Sequence, residues 1–539
     1  MTLPSSKNTT SLSAQTVIIC AGSLMTLLCL LITTLSHGLP PVILETLDTV
    51  THQLFTDQIQ NLGKGFHYQI SNQEMPLTAF LVIYALLCLL SIAPLTRLQR
   101  KLTTNHTKQH RFRLRSPLSL ILLFALIFRI ILIFSVPIHE SDFYRYLWDG
   151  KSSIHGINPY RFEPGALKLY EQNIHTPYQD PHNGVTWQGR EFSAEERPIL
   201  KHLQQLRDHN LELHQRVSHQ AVPTIYPPTA QAVFAVSAFL FGDSLVGLKV
   251  ILLIFDLLII AVTIAMLRRL KINPTWVILY AWSPLVLKEF SNSAHYDAVP
   301  LFFTMLAIYF ALDPARPLKT ASALALGTLA KFFSVILIPV LLPVRLSQWK
   351  SYALFATIIA LAYLPFFLWN QAGVAQVFAG LGVYNQHWQY NAGLFALIQQ
   401  SLLTFTHLSP NNLQPAKIIV ALLLITVIAW QSFRPKDEQH PELDLVRRCF
   451  VITAALFILS PTAFPWYYTW LMPFLCVFPS RAWIMLSWLL PLSYLDFHQN
   501  LAIARTFFWH IPAISWMIWL TFALLFLADT IKLRHSKTH

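Results

Sequence analysis

Charge is scarce in this 539-residue chain. Asp, Glu, Lys and Arg make up 12% of it, against 54% hydrophobic residues and a mean hydropathy of +0.46. A shortage on that scale excludes the string of soluble domains that length alone would suggest and leaves a multi-pass membrane protein. Cysteine pairing is missing as well. Cys20, Cys29, Cys88, Cys449 and Cys476 lie in or beside apolar runs with no metal or disulfide spacing, so no disulfide framework or cysteine metal site follows. There is no internal repeat and no low-complexity segment of note. The polar start, MTLPSSKNTTSLSAQ, is followed by an apolar run without a persuasive small-residue cleavage site, which reads as an uncleaved first helix.

Acids are missing where bases cluster. The net charge of +13 would suit nucleic acid if it were spread over a surface, but it is concentrated in short loops beside apolar runs. Between residues 97 and 115 there are seven Lys/Arg and no acid, and Arg268–Lys271 and the tail from Lys532 behave alike. This is the positive-inside pattern, so the basic balance reports orientation and no nucleic-acid partner. Residues 1–115 form an N-terminal membrane hairpin with its basic cytoplasmic loop, 116–530 a membrane domain, and 531–539 a basic cytoplasmic tail. The expected fold is all-α and polytopic, with roughly a dozen membrane segments. Residues 137–225 form a large outer loop whose short amphipathic pieces, such as 195–217, are expected on the membrane surface. Pieces near 229–241 and 391–406 are too short to span. The stretch from Ala321 to Val344 reads as two short helices meeting at Lys331, because a lysine left mid-bilayer costs about 2.5–3.5 kcal/mol on insertion scales. Residues 275–288 are expected as one outgoing segment and 451–459 as another.

That charge compass puts nearly all the polar motifs on the non-cytoplasmic side. The densest is His139-Glu140-Ser141-Asp142-Phe143-Tyr144-Arg145-Tyr146-Leu147-Trp148-Asp149-Gly150, directly after the apolar run from Leu118 to Val136. On a helix, Asp142, Arg145, Tyr146 and Asp149 share one face. Acid, base and ring-stacking groups therefore stand where a helix leaves the bilayer. Their chemistry suits an active site: a base for a hydroxyl, cations for an anionic group and aromatic faces for a ring. Asp142 is the expected general base. Glu140 is read as sharing the catalytic role or, with Asp149, orienting an acceptor; a plain acidic helix start is the bland alternative. Arg145, Arg161 and Lys331 are the candidate phosphate cations, the alternatives being surface ion pairs and a snorkelling lysine. His295 and Asp297 could contact phosphate or sugar, or simply cap an outer turn. Asn158 and Tyr160 join the binding set. Trp148, Tyr226, His387, Trp388, Trp466 and Tyr467 could stack on sugar or isoprenoid, although an interfacial aromatic belt would use the same residue types. Eight of the 21 histidines lie in 137–225, but His209, His214 and His219 are five apart and fit no zinc spacing.

The strings ESDFYRYLWDGKSSIHGINPYRFEP, PTIYPPTAQAVFA, WSPLVLKEFSNSAHYDAVPL, YNQHWQYNAGLF and SPTAFPWYYTWLMP give the chain a family likeness over roughly residues 115–500. It resembles the bacterial polyprenol-phosphate-dependent mannosyltransferase-like branch of the GT-C superfamily. The resemblance implies a GT-C-like membrane fold, a catalytic carboxylate in an early outer loop and inversion at the anomeric carbon. It also implies a polyprenyl-phosphate-linked sugar donor, a hexose such as mannose, and a glycan or lipid acceptor at a bacterial inner membrane. The family pattern often has two adjacent acids where this chain has Ser141-Asp142. No cofactor is certain; a divalent cation, Mg2+ or Mn2+, is the option that paired carboxylates leave open. Two other readings share the layout: a polysaccharide polymerase or ligase acting on lipid-linked glycan, and a lipid-linked-sugar transporter. The transporter would predict intramembrane charges along a path, for which Arg129, Lys249, Asp256 and Lys331 are the candidates, together with internal repeats that are absent.

Overall fold

The computed structural model describes residues 13–37, 77–102, 116–179, 186–342, 348–369, 373–406, 413–497, 506–508 and 511–535. The acidic connector 38–76, residues 103–115 of the basic loop, residues 343–347, the tail from 536 and the side chains of 97–102 lie outside the described residues. Among the described residues the protein is all-α apart from two small antiparallel ribbons, Tyr178–Gln179 with Thr186–Trp187 and Thr506–Phe508 with Ile511–Pro512.

Among the described residues six helices are long and apolar enough to cross a membrane: Ala14–Ser36, Ala79–Thr96, Leu245–Arg269, Trp349–Leu368, Gln414–Phe433 and Ala513–Lys532. Five shorter apolar helices accompany them. The exposure pattern is that of a membrane protein. In Trp349–Leu368 only Ser351 and Tyr363 are buried, while Leu361, Leu364 and Leu368 face outward. Gln414–Phe433 likewise turns Ile418, Leu422 and Ile425 out. Aliphatic side chains aimed away from the protein need lipid as their solvent.

The apolar stretch around Lys331 is broken at that residue, as its charge requires. Pro317–Ala330 ends there, Lys331 takes an extended conformation (φ −159°, ψ 133°), and a tighter 3-10 turn, Phe332–Leu337, follows before Ile338–Leu341. Pro228–Phe241 and Leu394–Phe405 are short, as expected, at 14 and 12 residues.

Three expectations need correction. Residues 275–288 do not form one helix. Pro274 and Pro284 divide them into Pro274–Val277, Ile278–Ala281 and Pro284–Val286, and a π-helical turn, Leu287–Asn292, completes the segment. A proline offers no N–H to the ladder, and Ser283 Oγ caps the restart by accepting from the Val286 N–H (3.4 Å). The helix expected at 451–459 begins at Pro441, because Arg434 and Arg448 both pair with Asp444 and draw the charged loop into its first turns. The amphipathic piece within 195–217 forms Arg197–His209, but its stripe Leu200, Leu203 and Leu206 is buried against Phe162, Ala166 and Leu167. Protein, not lipid, covers that stripe, and at roughly 1.5–3 kcal/mol per buried leucine this organises the loop.

The Glu140–Gly150 motif forms the helix Asp142–Ile154, lying between this loop subdomain and the membrane helices. It packs closely on Pro228–Phe241. A Cβ at Gly150 would come 2.3 Å from the Phe234 carbonyl oxygen, so only glycine allows the approach. Tyr146 stacks on Phe234 (4.8 Å, 8°) and meets Tyr226 and Tyr296 edge-on.

Candidate active site

Three pieces of backbone set the position of the acidic motif. The chain leaving Pro117–Ile133 is clamped by Asn292, whose Nδ2 donates to Ser135 Oγ (2.7 Å) and Val136 O (2.9 Å) while its Oδ1 accepts from Ile138 N (3.1 Å). Lys249 Nζ donates to Ser135 O (2.7 Å), satisfying a carbonyl at the end of that helix. Glu140 Oε1 then accepts from the backbone N–H groups of both Ser141 and Asp142 (2.8 Å each) and caps the new helix. Glu140 is therefore fixed, and Asp142 follows it into the first turn.

The partner wall comes from the π-helical turn. Ser293 N donates to Lys288 O and His295 N to Glu289 O (2.9 Å each), and the buried Ala294 sits at φ +60°. Left-handed backbone at a non-glycine residue is strained and persists only where surrounding contacts enforce it. The result brings Glu289 and His295 to the same imidazole. His295 Nε2 lies 3.1 Å from Glu140 Oε2 and Nδ1 lies 3.0 Å from Glu289 Oε2, although neither contact is aligned for a linear hydrogen bond. Glu289 is held in turn by Tyr494 Oη (2.8 Å) and Lys288 Nζ (3.3 Å), and Lys288 also donates to Tyr494 Oη (2.7 Å). The His295 ring stacks on Trp466 (4.2 Å, 18°).

Charge follows from this geometry. Burial would lower the His295 pKa, but Glu140 and Glu289 raise it to about 10, so it is an imidazolium at neutral pH. Burial would raise Glu140, and the His295 and Lys288 charges overcome it and hold Glu140 well below the usual carboxylate range. Asp142 goes the other way. Burial and the negative charge of Glu140 push it up to about 7, against the pull of His295 and Lys331. Its carboxylate has no hydrogen-bond or ion-pair partner among the described residues and lines a cavity of about 1490 Å3. A carboxylate poised near neutrality and open to a cavity is what general-base catalysis needs.

Across the cavity stands Lys331. Its Nζ is 2.7 Å from Asp297 Oδ1, an oxygen that also accepts from Trp470 Nε1 (2.7 Å). Tyr467, Tyr296 and Trp470 surround the ammonium at 4.2, 5.0 and 5.2 Å. Phe333, stacked on Trp470 (4.1 Å, 5°), and the apolar Ile336, Leu456 and Phe457 also line the cavity.

Of the residues expected at a site, the cavity gathers Glu140, Asp142, Arg145, Tyr226, Asp297, Lys331, Trp388, Trp466 and Tyr467. His295 stands one layer behind it. Asp149 is buried in an ion pair with Arg145 (2.8 Å). Four expected residues are placed away from the cavity. Arg161 pairs with Glu196 (3.1 Å), which also binds Arg190, and so ties the loop subdomain together. Asn158 Nδ2 donates to Phe366 O and Trp369 O (2.9 Å each), pinning the loop to a membrane helix. Tyr160 Oη donates to Tyr226 O (2.6 Å). Trp148 is buried edge-on to His214 (4.7 Å) within the protein and belongs to no interfacial belt. The His387 side chain lies outside the described residues. The sequence places Lys288-Glu289 among the outer-side polar motifs but assigns no role to Glu289, and it does not single out Tyr494 or Trp470.

Ligand atoms of Glu140, Asp142 and His295 lie within 4.8 Å of one another, a grouping that metal ions favour. Ligation by the imidazole would require His295 to give up a proton that the neighbouring Glu140 and Glu289 carboxylates favour. The Glu140 and Asp142 carboxylates alone could hold a divalent cation. No known protein family, curated protein or solved structure matches the chain.

Proposed function

We propose that the chain is an inverting membrane glycosyltransferase of GT-C type, moving a hexose from a polyprenyl-phosphate-sugar donor to an acceptor on the non-cytoplasmic face. One observation carries the reading: the unpartnered, half-buried Asp142 carboxylate lines a cavity whose walls carry both apolar and polar side chains. An isoprenoid needs the first kind of wall and a hydrophilic acceptor the second. The six long helices and the shorter apolar ones would together make the roughly dozen segments of such a fold.

In the proposed reaction Asp142 accepts the proton of the acceptor hydroxyl, whose oxygen attacks the anomeric carbon. The bond from that carbon to the phosphate oxygen breaks, and the polyprenyl phosphate leaves with the electron pair. Lys331 faces the charge that develops on the phosphate; Asp297 and three aromatic rings hold it in place. Glu140 stays ionised on His295, so the proton goes to Asp142. A single displacement inverts the anomeric centre and forms no glycosyl-enzyme. Arg129, Asp256 and Lys249 are fully buried and do not line the cavity, which counts against a charge-lined transport path. The test is to give purified protein in lipid a radiolabelled polyprenyl-phosphate hexose with candidate acceptors. Label joined to acceptor with inverted configuration is the expected result. Movement of intact donor across the bilayer, without bond cleavage, would replace this reading with a transporter.

A further inference from the structure

We propose that Arg145 centres a second, anion-recognising subsite of the cavity, so that the acceptor carries a carboxylate or phosphate group near its reacting hydroxyl. The inference rests on the transferase reading for the word acceptor, but the subsite itself rests on geometry.

Arg145 is 6% exposed, lines the cavity and is held on two sides. Its Nε donates to Asp149 Oδ1 (2.8 Å) and its Nη1 to Val222 O (3.0 Å). Asp149 is itself oriented by Gln231, whose Nε2 reaches Asp149 Oδ2 (3.2 Å) and Thr224 Oγ1 (2.9 Å). The guanidinium cannot turn to satisfy its remaining donor. That donor, Nη2, is buried with no partner among the described residues. A buried charged N–H without an acceptor is unfavourable, and a planar anion beside it would remove the deficit with a charge-assisted bond.

The surroundings favour an anion over a neutral hydroxyl. The lining residues from 215 to 226 and from 378 to 390 include Arg216 and His219 and no carboxylate. Arg216 donates to Tyr144 Oη (2.8 Å), and the carboxylate paired with it, Glu212, is 80% exposed. His219 is a further donor, held below its usual range by burial and by the Arg145 charge, and it meets Trp388 edge-on at 4.8 Å. Trp388 offers a flat face for the ring that bears the anion. Lys331 is paired as Arg145 is, with Asp297 at 2.7 Å, but the rings of Tyr467, Tyr296 and Trp470 surround it and it has no orphaned donor among the described residues, so we assign the donor phosphate to Lys331 and the acceptor's anion to Arg145.

The experiment follows thermal unfolding of the full chain in lipid nanodiscs with methyl β-glucuronide, inorganic phosphate or methyl β-glucoside as probe. The two anions should raise the melting temperature and the neutral glucoside should not. In Arg145→Gln/Asp149→Asn, which removes both charges of the pair together, anion affinity should fall about tenfold or more. If that double variant does not fold, Arg145→Lys, which keeps the charge but loses the planar fork, should weaken the anions by a similar factor. Equal protection by glucoside, or undiminished anion binding in the variant, would overturn the subsite. Polyprenyl phosphate should add to the glucuronide effect; competition between them would move the donor phosphate to Arg145 and overturn the acceptor assignment. Anion binding without any transfer would leave the subsite standing and defeat the transferase reading. Transfer that ignores the acceptor's charge would do the reverse.

Discussion

Two buried charge networks lie on opposite sides of the motif, and they are built on opposite principles. In the helix bundle, Arg129 gives Nε and Nη2 to Asp256 (2.7 and 3.3 Å) and Nη1 to the carbonyls of Ala281 and Ala125 (2.7 and 3.0 Å). Tyr280 Oη completes Asp256 at 2.7 Å. Both charges are fully buried and the carboxylate is answered on both oxygens. Beside the cavity, Glu140, Glu289 and His295 match one another by charge at 3.1 and 3.0 Å without aligned hydrogen bonds, and Asp142 is left without a partner next to them. A closed network serves the fold. An open one leaves a carboxylate free to meet a ligand or a proton.

The sharpest way to break that contrast is to open the closed network. Arg129→Met leaves Asp256 buried without its cation, which typically costs about 3–5 kcal/mol. Thermal or denaturant unfolding in detergent should show a large loss; a melting temperature equal to wild type would mean the pair is not structural.

A smaller effect, of distinctive sign, belongs to the open network. Asp142 must be ionised to accept a proton, and its pKa is raised to about 7, so transfer should fall about tenfold per pH unit below neutrality rather than below pH 4. Glu140 raises Asp142 and His295 lowers it. Glu140→Gln should therefore move the acid limb to lower pH, and His295→Gln should move it to higher pH. A pH–rate profile of both variants checks this, and shifts of the same sign would contradict the network.

The mildest effect concerns a residue whose chemistry looked functional. Arg161 sits in a partly exposed cluster with Glu196 and Arg190. Arg161→Gln should change stability by about 1 kcal/mol or less and leave donor affinity unchanged. A tenfold loss of polyprenyl-phosphate binding in a titration would bring Arg161 back to the site.

These contrasts also mark what the sequence could reveal. The break at Lys331 was legible because a lysine in hydrocarbon has a known cost, and the motif helix because its polar residues keep a period of 3.6. The all-α membrane class was legible from composition. The pairing of Glu289 with His295 was not, since it depends on a π-helical turn and a left-handed alanine that no periodicity announces. Arg161, Asn158 and Tyr160 misled for a common reason. A side chain that pins one loop to another uses the same hydrogen-bonding groups as one that binds a sugar, and the partners, Glu196, Phe366 and Tyr226, are about 35 to 208 residues away. Trp148 was ambiguous because a buried tryptophan and a belt tryptophan have identical composition.

The central claim is that Asp142 is the base. It is tested most directly by single-turnover transfer from radiolabelled polyprenyl-phosphate hexose, comparing wild type with Asp142→Asn at pH 8 alongside the melting temperature of each. Because Asp142 has no partner to lose, the variant should melt at or above the wild-type temperature while transfer falls by about 10²–10⁴-fold. Full transfer in Asp142→Asn, or a trapped glycosyl-enzyme, would contradict the account.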